Sequence, residues 1–238
     1  MLFRSLALCT DNGAMIAFAA ALRLQAEASP EAERADYAFS PLPDLPRPTG
    51  YAAGAIAGGR FFVIGGVSDP ASTSPNREVW SLELARTEAG WTREADLPGP
   101  GLLVPAAGCH GQSVYVFGGM SFEAGKPKPS VAAYRLAGSG GAWERLPDLP
   151  QPRVGINSPC PVLPDGSLWL GLLTGDLARY KEGKTDIFRF KNSPTPTLDS
   201  MVNEVVVAAD GSVLGATSFG LIAWKKDRKS TRLNSSHI

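Results

Sequence analysis

An all-β fold is what this sequence predicts: a partial β-propeller of about three to four four-stranded blades, preceded by one N-terminal helix. Three observations carry that expectation. Leucine, glycine and tryptophan positions return in step every ~50 residues from Leu42 onward, the period of a four-stranded blade. Glycine (26) and proline (20) are plentiful and separate short apolar runs, the pattern of many strands joined by turns. Stretches with a 3.6-residue hydrophobic period are scarce after the first forty residues. With 238 residues, 44% hydrophobic and 19% charged, the chain has the composition of a globular protein rather than a disordered one.

The helix comes first. Residues 6–35 hold Ala14, Ile16, Ala17, Phe18, Ala20, Ala21, Leu22 and Leu24, an apolar stretch of good helix formers, which Asp11 or Asn12 could cap. A signal peptide is one reading, with Arg4 before an apolar core from Ala14 to Leu22 and Ala26-Glu27-Ala28 as the cleavage site; it would place the propeller in the periplasm or outside the cell. Asp11-Asn12-Gly13 interrupts that core, and the remaining run is far shorter than the ~20 residues of a membrane span, so no membrane span is expected. The motif Cys9-Thr10-Asp11-Asn12-Gly13-Ala14-Met15-Ile16-Ala17, with Ala35-Asp36-Tyr37-Ala38-Phe39-Ser40 after it, resembles the C-terminus of the glycoprotease-like family that forms threonylcarbamoyl-adenosine in tRNA. That resemblance implies a metal-ligand role for Asp11 and a nucleotide-facing role for Asn12. The family's paired histidine ligands are absent from the sequence, so the metal site it implies is incomplete, and an N-cap is the alternative role for Asp11.

Sheets follow. Leu45, Leu97 and Leu149 fall 52 residues apart, each in a Leu-Pro turn, and Trp91 and Trp143 are separated by the same 52. Phe61-Phe62-Val63-Ile64-Gly65-Gly66 returns as Val114-Tyr115-Val116-Phe117-Gly118-Gly119, and Val79-Trp80-Ser81-Leu82 as Ala133-Tyr134-Arg135-Leu136. The glycine pairs permit close backbone approach, the tryptophans offer apolar area to wedge between blades, and prolines after the turns stop the strands. Residues 42–153 thereby resemble Kelch-repeat β-propellers. Among enzymes of that architecture, a copper oxidase needs several nitrogen ligands, and the chain has only His110 and His237. A sialic acid epimerase of the Kelch-like type is the remaining enzymatic alternative, with Arg47 or Arg153 as candidate carboxylate clamps. Blade packing or surface placement is the other role for both arginines. His110 falls in or beside a hairpin turn.

After Arg153 the Gly-Gly pattern lapses. Asp165-Gly166-Ser167-Leu168-Trp169-Leu170-Gly171 pairs with Asp210-Gly211-Ser212-Val213-Leu214-Gly215 at a spacing of 45, and residues 160–226 resemble the propeller repeats of two-component-regulator sensors. Turn chemistry explains the Asp-Gly pairs, which lack the clustered oxygen ligands of a calcium loop. The ends resemble translated sequencing adapters: Met1 to Ser5 and Asp227 to His237. The division expected is thus 1–40 as a helical remnant of another protein, 42–153 as Kelch-type blades, 154–226 as further blades and 227–238 as a non-native tail, with joins near 41 and 155.

Formal charge is zero, from 23 basic and 23 acidic side chains, so no bulk field draws the chain to nucleic acid. Three widely separated cysteines, Cys9, Cys109 and Cys160, make neither a zinc knuckle nor a disulfide frame. No cofactor is expected. The reading is a non-catalytic binding, sensing or protein-interaction module with a protein or carbohydrate ligand. Its alternatives are the sugar-processing enzyme and the remnant of the tRNA-modifying transferase.

Overall fold

A computed structural model describes residues 42–69, 71–154, 160–189, 202–208, 211–217, 220–225 and 234–237. The first sheet joins β1 (Ala53–Ala57), β2 (Arg60–Ile64), β3 (Val79–Glu83) and β4 (Trp91–Arg93) in that order, all antiparallel. The second holds β5 (Ala106–His110), β6 (Ser113–Phe117), β9 (Ala133–Leu136) and β10 (Trp143–Leu146), with β7 (Met120–Glu123) and β8 (Lys126–Pro129) forming a separate hairpin between β6 and β9. The third contains β11 (Leu168–Gly171), β12 (Leu177–Lys181) and β13 (Lys184–Phe188); the fourth contains β14 (Val202–Val207), β15 (Val213–Thr217), β16 (Gly220–Lys225) and β17 (Asn234–His237). Four successive antiparallel meanders of this kind make a partial β-propeller.

The apolar cores lie between consecutive sheets. Phe62, Ile64 and Leu97 of the first pack with Val114, Val116 and Leu136 of the second. Phe117 and Leu149 of the second pack with Leu168, Leu170 and Tyr180 of the third, while Trp169 and Leu177 of the third meet Val205, Ile222 and Trp224 of the fourth. Because strand side chains alternate between faces, each middle sheet contributes one face to the core behind it and the other to the core ahead. Small residues let the first strands crowd together: β1 buries Ala53, Ala55 and Ala57 beside β5, which buries Ala106 and Ala107.

The sequence recurrence becomes a recurrence of hydrogen bonds. The Gly65 amide donates to Glu78 O at 2.9 Å and the Gly118 amide to Ala132 O at 2.8 Å; Gly66 donates to Leu102 O at 2.8 Å and Gly119 to Arg153 O at 2.7 Å. Leu97 and Leu149, both buried, donate to Arg77 O at 2.9 Å and Val131 O at 2.8 Å. Each tryptophan on an outer strand reaches back to the segment before it: Trp91 Nε1 donates to Pro43 O and Trp143 Nε1 to Ala95 O, both at 2.9 Å.

One carboxylate locks the first sheet to the second. Glu94, 6% exposed, accepts from Ser81 Oγ at 2.5 Å, Ser139 Oγ at 2.6 Å and the Gly140 amide at 2.7 Å. Burial alone would push its carboxyl up, but these donors and the nearby Arg60 charge outweigh it and hold the group below its ordinary value. A depressed folded-state value stabilises the fold above the unfolded value, ~4.3 for glutamate, and the benefit disappears as pH falls through the folded value. Glu94→Gln is therefore expected to cost about 2 kcal/mol at pH 7 and much less at pH 3, measured by urea denaturation at the two pH values.

Three features differ from, or lie beyond, the sequence expectation. Among the described residues the third sheet has three strands; residues 160–162 stand where a first strand would lie, and there Val162 makes an isolated bridge to Leu168. Pro161 and Pro164 flank that bridge and neither can donate to a ladder. In the tail that resembles a translated adapter, Asn234–His237 pairs with β16, as an open sheet edge accepts a further strand. The predicted helix at 6–35, Asp11, Asn12 and the joins near 41 and 155 lie outside the described residues.

Candidate functional site

The two candidate arginines are not brought together. Arg47 is exposed and pairs with Glu78 at 3.3 Å, an acceptor it shares with Arg93 at 3.4 Å. Arg153 is 3% exposed and its carbonyl meets Gly119 as Leu102 meets Gly66, so it occupies the blade-packing position of the preceding sheet. Its Nη1 donates to Val104 O at 3.2 Å, while Nε has no partner. Burial draws its guanidinium down to about 10.

A different group of residues forms the candidate site. A cleft of about 360 Å³ opens between the second and third sheets, within the size range of small-ligand sites. His110 at the end of β5, Tyr115 of β6, Arg135 of β9 and Glu144 of β10 face Asp165, Tyr180 and Lys181 of the third sheet across it. The rings of Tyr115 and Tyr180 are 6.1 Å apart and tilted by 54°. Gly166, at φ +79°, passes under His110, whose Cε1 would lie 2.9 Å from any Cβ added there.

Two ion pairs lie within the cleft, while its Arg145 pairs with Asp148. Arg135 Nη1 lies 3.3 Å from Glu144 Oε2 and its Nε donates to Ser113 Oγ at 3.2 Å; Lys181 Nζ lies 3.3 Å from Asp165 Oδ2. Ser167 donates to Asp165 from its hydroxyl at 2.6 Å and its amide at 3.0 Å. With Lys181 these bonds bring the Asp165 carboxyl down to about 2, so it is ionised at neutral pH. Burial, reinforced by the neighbouring Tyr115, pushes the Tyr180 phenol up. The resulting surface offers the half-buried Tyr115 ring and paired charges at its rim, over a buried Tyr180, a chemistry that holds a ligand by stacking and hydrogen bonding.

Thiol chemistry is held back nearby. Burial pushes Cys160 up to about 12, against the opposing charge of Arg153, and raises Cys109 as well. A thiol must ionise to react, so both cysteines are expected to resist iodoacetamide at pH 7.5 in the folded protein and to react fully in urea, as read by peptide mapping. Among the described residues no group of three or more metal-ligating side chains occurs, and no helix is long and apolar enough to cross a membrane.

Sequence reasoning placed His110 beside its turn but did not anticipate Tyr115, Arg135, Glu144, Asp165, Tyr180 and Lys181 as one group. The available signal was the missing tryptophan in the third unit, since Trp91 and Trp143 have no successor 52 residues on.

The class defined by fold and site is a partial β-propeller with an inter-sheet cleft. No family model matches the chain. A 44-residue stretch, 18% of the chain, is 54% identical to a tRNA N6-adenosine threonylcarbamoyltransferase from Herminiimonas arsenicoxydans, and an equal length is 59% identical to the enzyme of that name from Verminephrobacter eiseniae (strain EF01-2). These agree in family with the resemblance drawn from the Cys9 to Ala17 motif, and the chain spans 12% of either enzyme's length. Among solved structures, that of YjhT is similar over 68% of this chain and 50% of its own, with a TM-score of 0.47 and 20% identity.

Proposed function

We propose that this chain is a Kelch-type β-propeller binding module, with a third and fourth blade of the two-component-regulator type, whose protein or carbohydrate ligand enters the cleft between the second and third sheets. The observation that carries this reading is the cleft itself: two tyrosines and two internally matched ion pairs, Arg135 with Glu144 and Lys181 with Asp165, on sheets fixed by continuous cores. Ionic groups that already have partners, three of them on strands and Asp165 in a tight turn, orient a ligand without a group poised to attack it. The recurring Gly-Gly and tryptophan contacts support the Kelch assignment.

Peptide and glycan arrays probed with the chain test the reading. Selective binding that falls at least tenfold in Arg135→Ala or Lys181→Ala, with the unfolding midpoint unchanged, is the expected outcome. Absence of any array binding, together with turnover of an anomeric or epimeric sugar substrate, would replace it with an enzymatic one.

A further inference from the structure

The cleft lies where a wedge is missing, and the two filled junctions that precede it, of the first sheet with the segment before it and of the second sheet with the first, show what the wedge is. On the outer strand of the first sheet Trp91 stands opposite Leu82, and in the second Trp143 stands opposite Leu136. The equivalent pair in the third is Tyr180 opposite Thr185. Each tryptophan donates its indole N–H to a carbonyl in the segment before it, first Pro43 and then Ala95, 52 residues later. A further 52 residues lead to Pro147, which lines the cleft beside Leu146.

The far end of the junction is open for a related reason. Between the first and second sheets, the β9–β10 turn of residues 137–142 sends Ser139 and Gly140 onto Glu94. Between the second and third, the β12–β13 turn is reduced to Glu182 and Gly183, and Leu146 stands at the position of Glu94, 52 residues on. The short Glu182-Gly183 turn only lines the cleft, and Leu146 has no carboxylate with which to receive it. Tyr180 leans back toward Phe117, at 5.1 Å between ring centres, and leaves the remaining volume to a ligand.

The geometry points to an indole ring as the group this cleft recognises, its N–H bound to the Pro147 carbonyl and its face against the half-buried Tyr115, with Tyr180 buried behind. This rests on the cleft being the ligand site of the binding module. An indole combines the apolar area and the single donor that both filled junctions use; a phenyl ring supplies the area without the donor. The same chemistry is offered by a tryptophan side chain of another polypeptide and by a small indole compound.

Isothermal titration of the whole chain with N-acetyl-tryptophanamide, its 1-methyl-indole analogue and N-acetyl-phenylalaninamide tests the assignment, with a capped tryptophan hexapeptide as a further arm. Binding of N-acetyl-tryptophanamide is expected, weakened about fivefold by methylating the indole nitrogen, the equivalent of one neutral hydrogen bond, and further by the phenyl ring. A hexapeptide tenfold tighter than the capped residue assigns the source to a polypeptide; equal affinities assign it to the free ring. Thr185→Trp supplies the wedge in cis, and its expected effects are loss of titratable binding and a raised unfolding midpoint. Equal affinity for all three small probes, or no binding of any, overturns the inference. Array ligands without tryptophan that are lost in Arg135→Ala would also overturn it while leaving the binding module standing, whereas silence in both arrays and titrations removes both.

Discussion

Gly118→Ala is expected to destabilise the chain by about 3–4 kcal/mol, the sum of left-handed strain on a residue with a Cβ and the loss of a buried backbone hydrogen bond. Gly118 sits at φ +64°, and a Cβ there would meet Arg153 O at 2.4 Å. That carbonyl is the acceptor for the Gly119 amide, so the backbone cannot give way without breaking the contact that ties the second sheet to the segment leading into the third. Gly111→Ala is the control. Its φ is +60° with nothing within 4 Å of the added carbon, leaving only the strain, about 1 kcal/mol. Urea denaturation of the two variants separates conformation from close approach.

Phe117→Ala is expected to cost about 3–5 kcal/mol, the usual range for a buried phenylalanine. Phe117 is fully buried and its ring lies 5.1 Å from Tyr180 and 6.4 Å from Tyr115. It fills the core directly behind the cleft, so removing it also frees Tyr180 to retreat. Affinity at the cleft should therefore fall with stability, whereas Leu84→Ala, 41% exposed, should change neither by more than about 0.5 kcal/mol.

The first two sheets were legible because their signals are local and repeated. Strand alternation, a glycine pair needing positive φ and a tryptophan before a Leu-Pro turn all sit within one unit, and a 52-residue spacing places the next copy. The Asp165-Gly166 turn was legible for the same reason: Asp165 accepts from Ser167 two residues on, and Gly166 takes φ +79°. The hairpin of β7 and β8 was not. Lys126-Pro127-Lys128-Pro129 is exposed throughout and shows no apolar alternation, being held instead by pairing to Met120–Glu123.

Arg153 reads in sequence as a carboxylate clamp or as a surface or blade-packing residue beside a turn. The contact of its carbonyl with Gly119, matching Leu102 with Gly66, selects packing, and that match joins residues far apart in the chain. The cleft escaped for a deeper reason. It is produced by what the third unit lacks at Thr185 and at the short Glu182-Gly183 turn and the second lacks at Leu146, and that correspondence is fixed only by strand register.

That register decides the account. A one-residue slip of β13 against β12 would turn Thr185 to the opposite face and remove the vacancy from the second-to-third junction. Cross-strand proton contacts measured by NMR across β12 and β13 test this most directly. Pairing of Tyr180 with Thr185 and of Ala178 with Ile187 is the predicted pattern; contacts of Tyr180 with Lys184 or Asp186 as its opposite partner would contradict it.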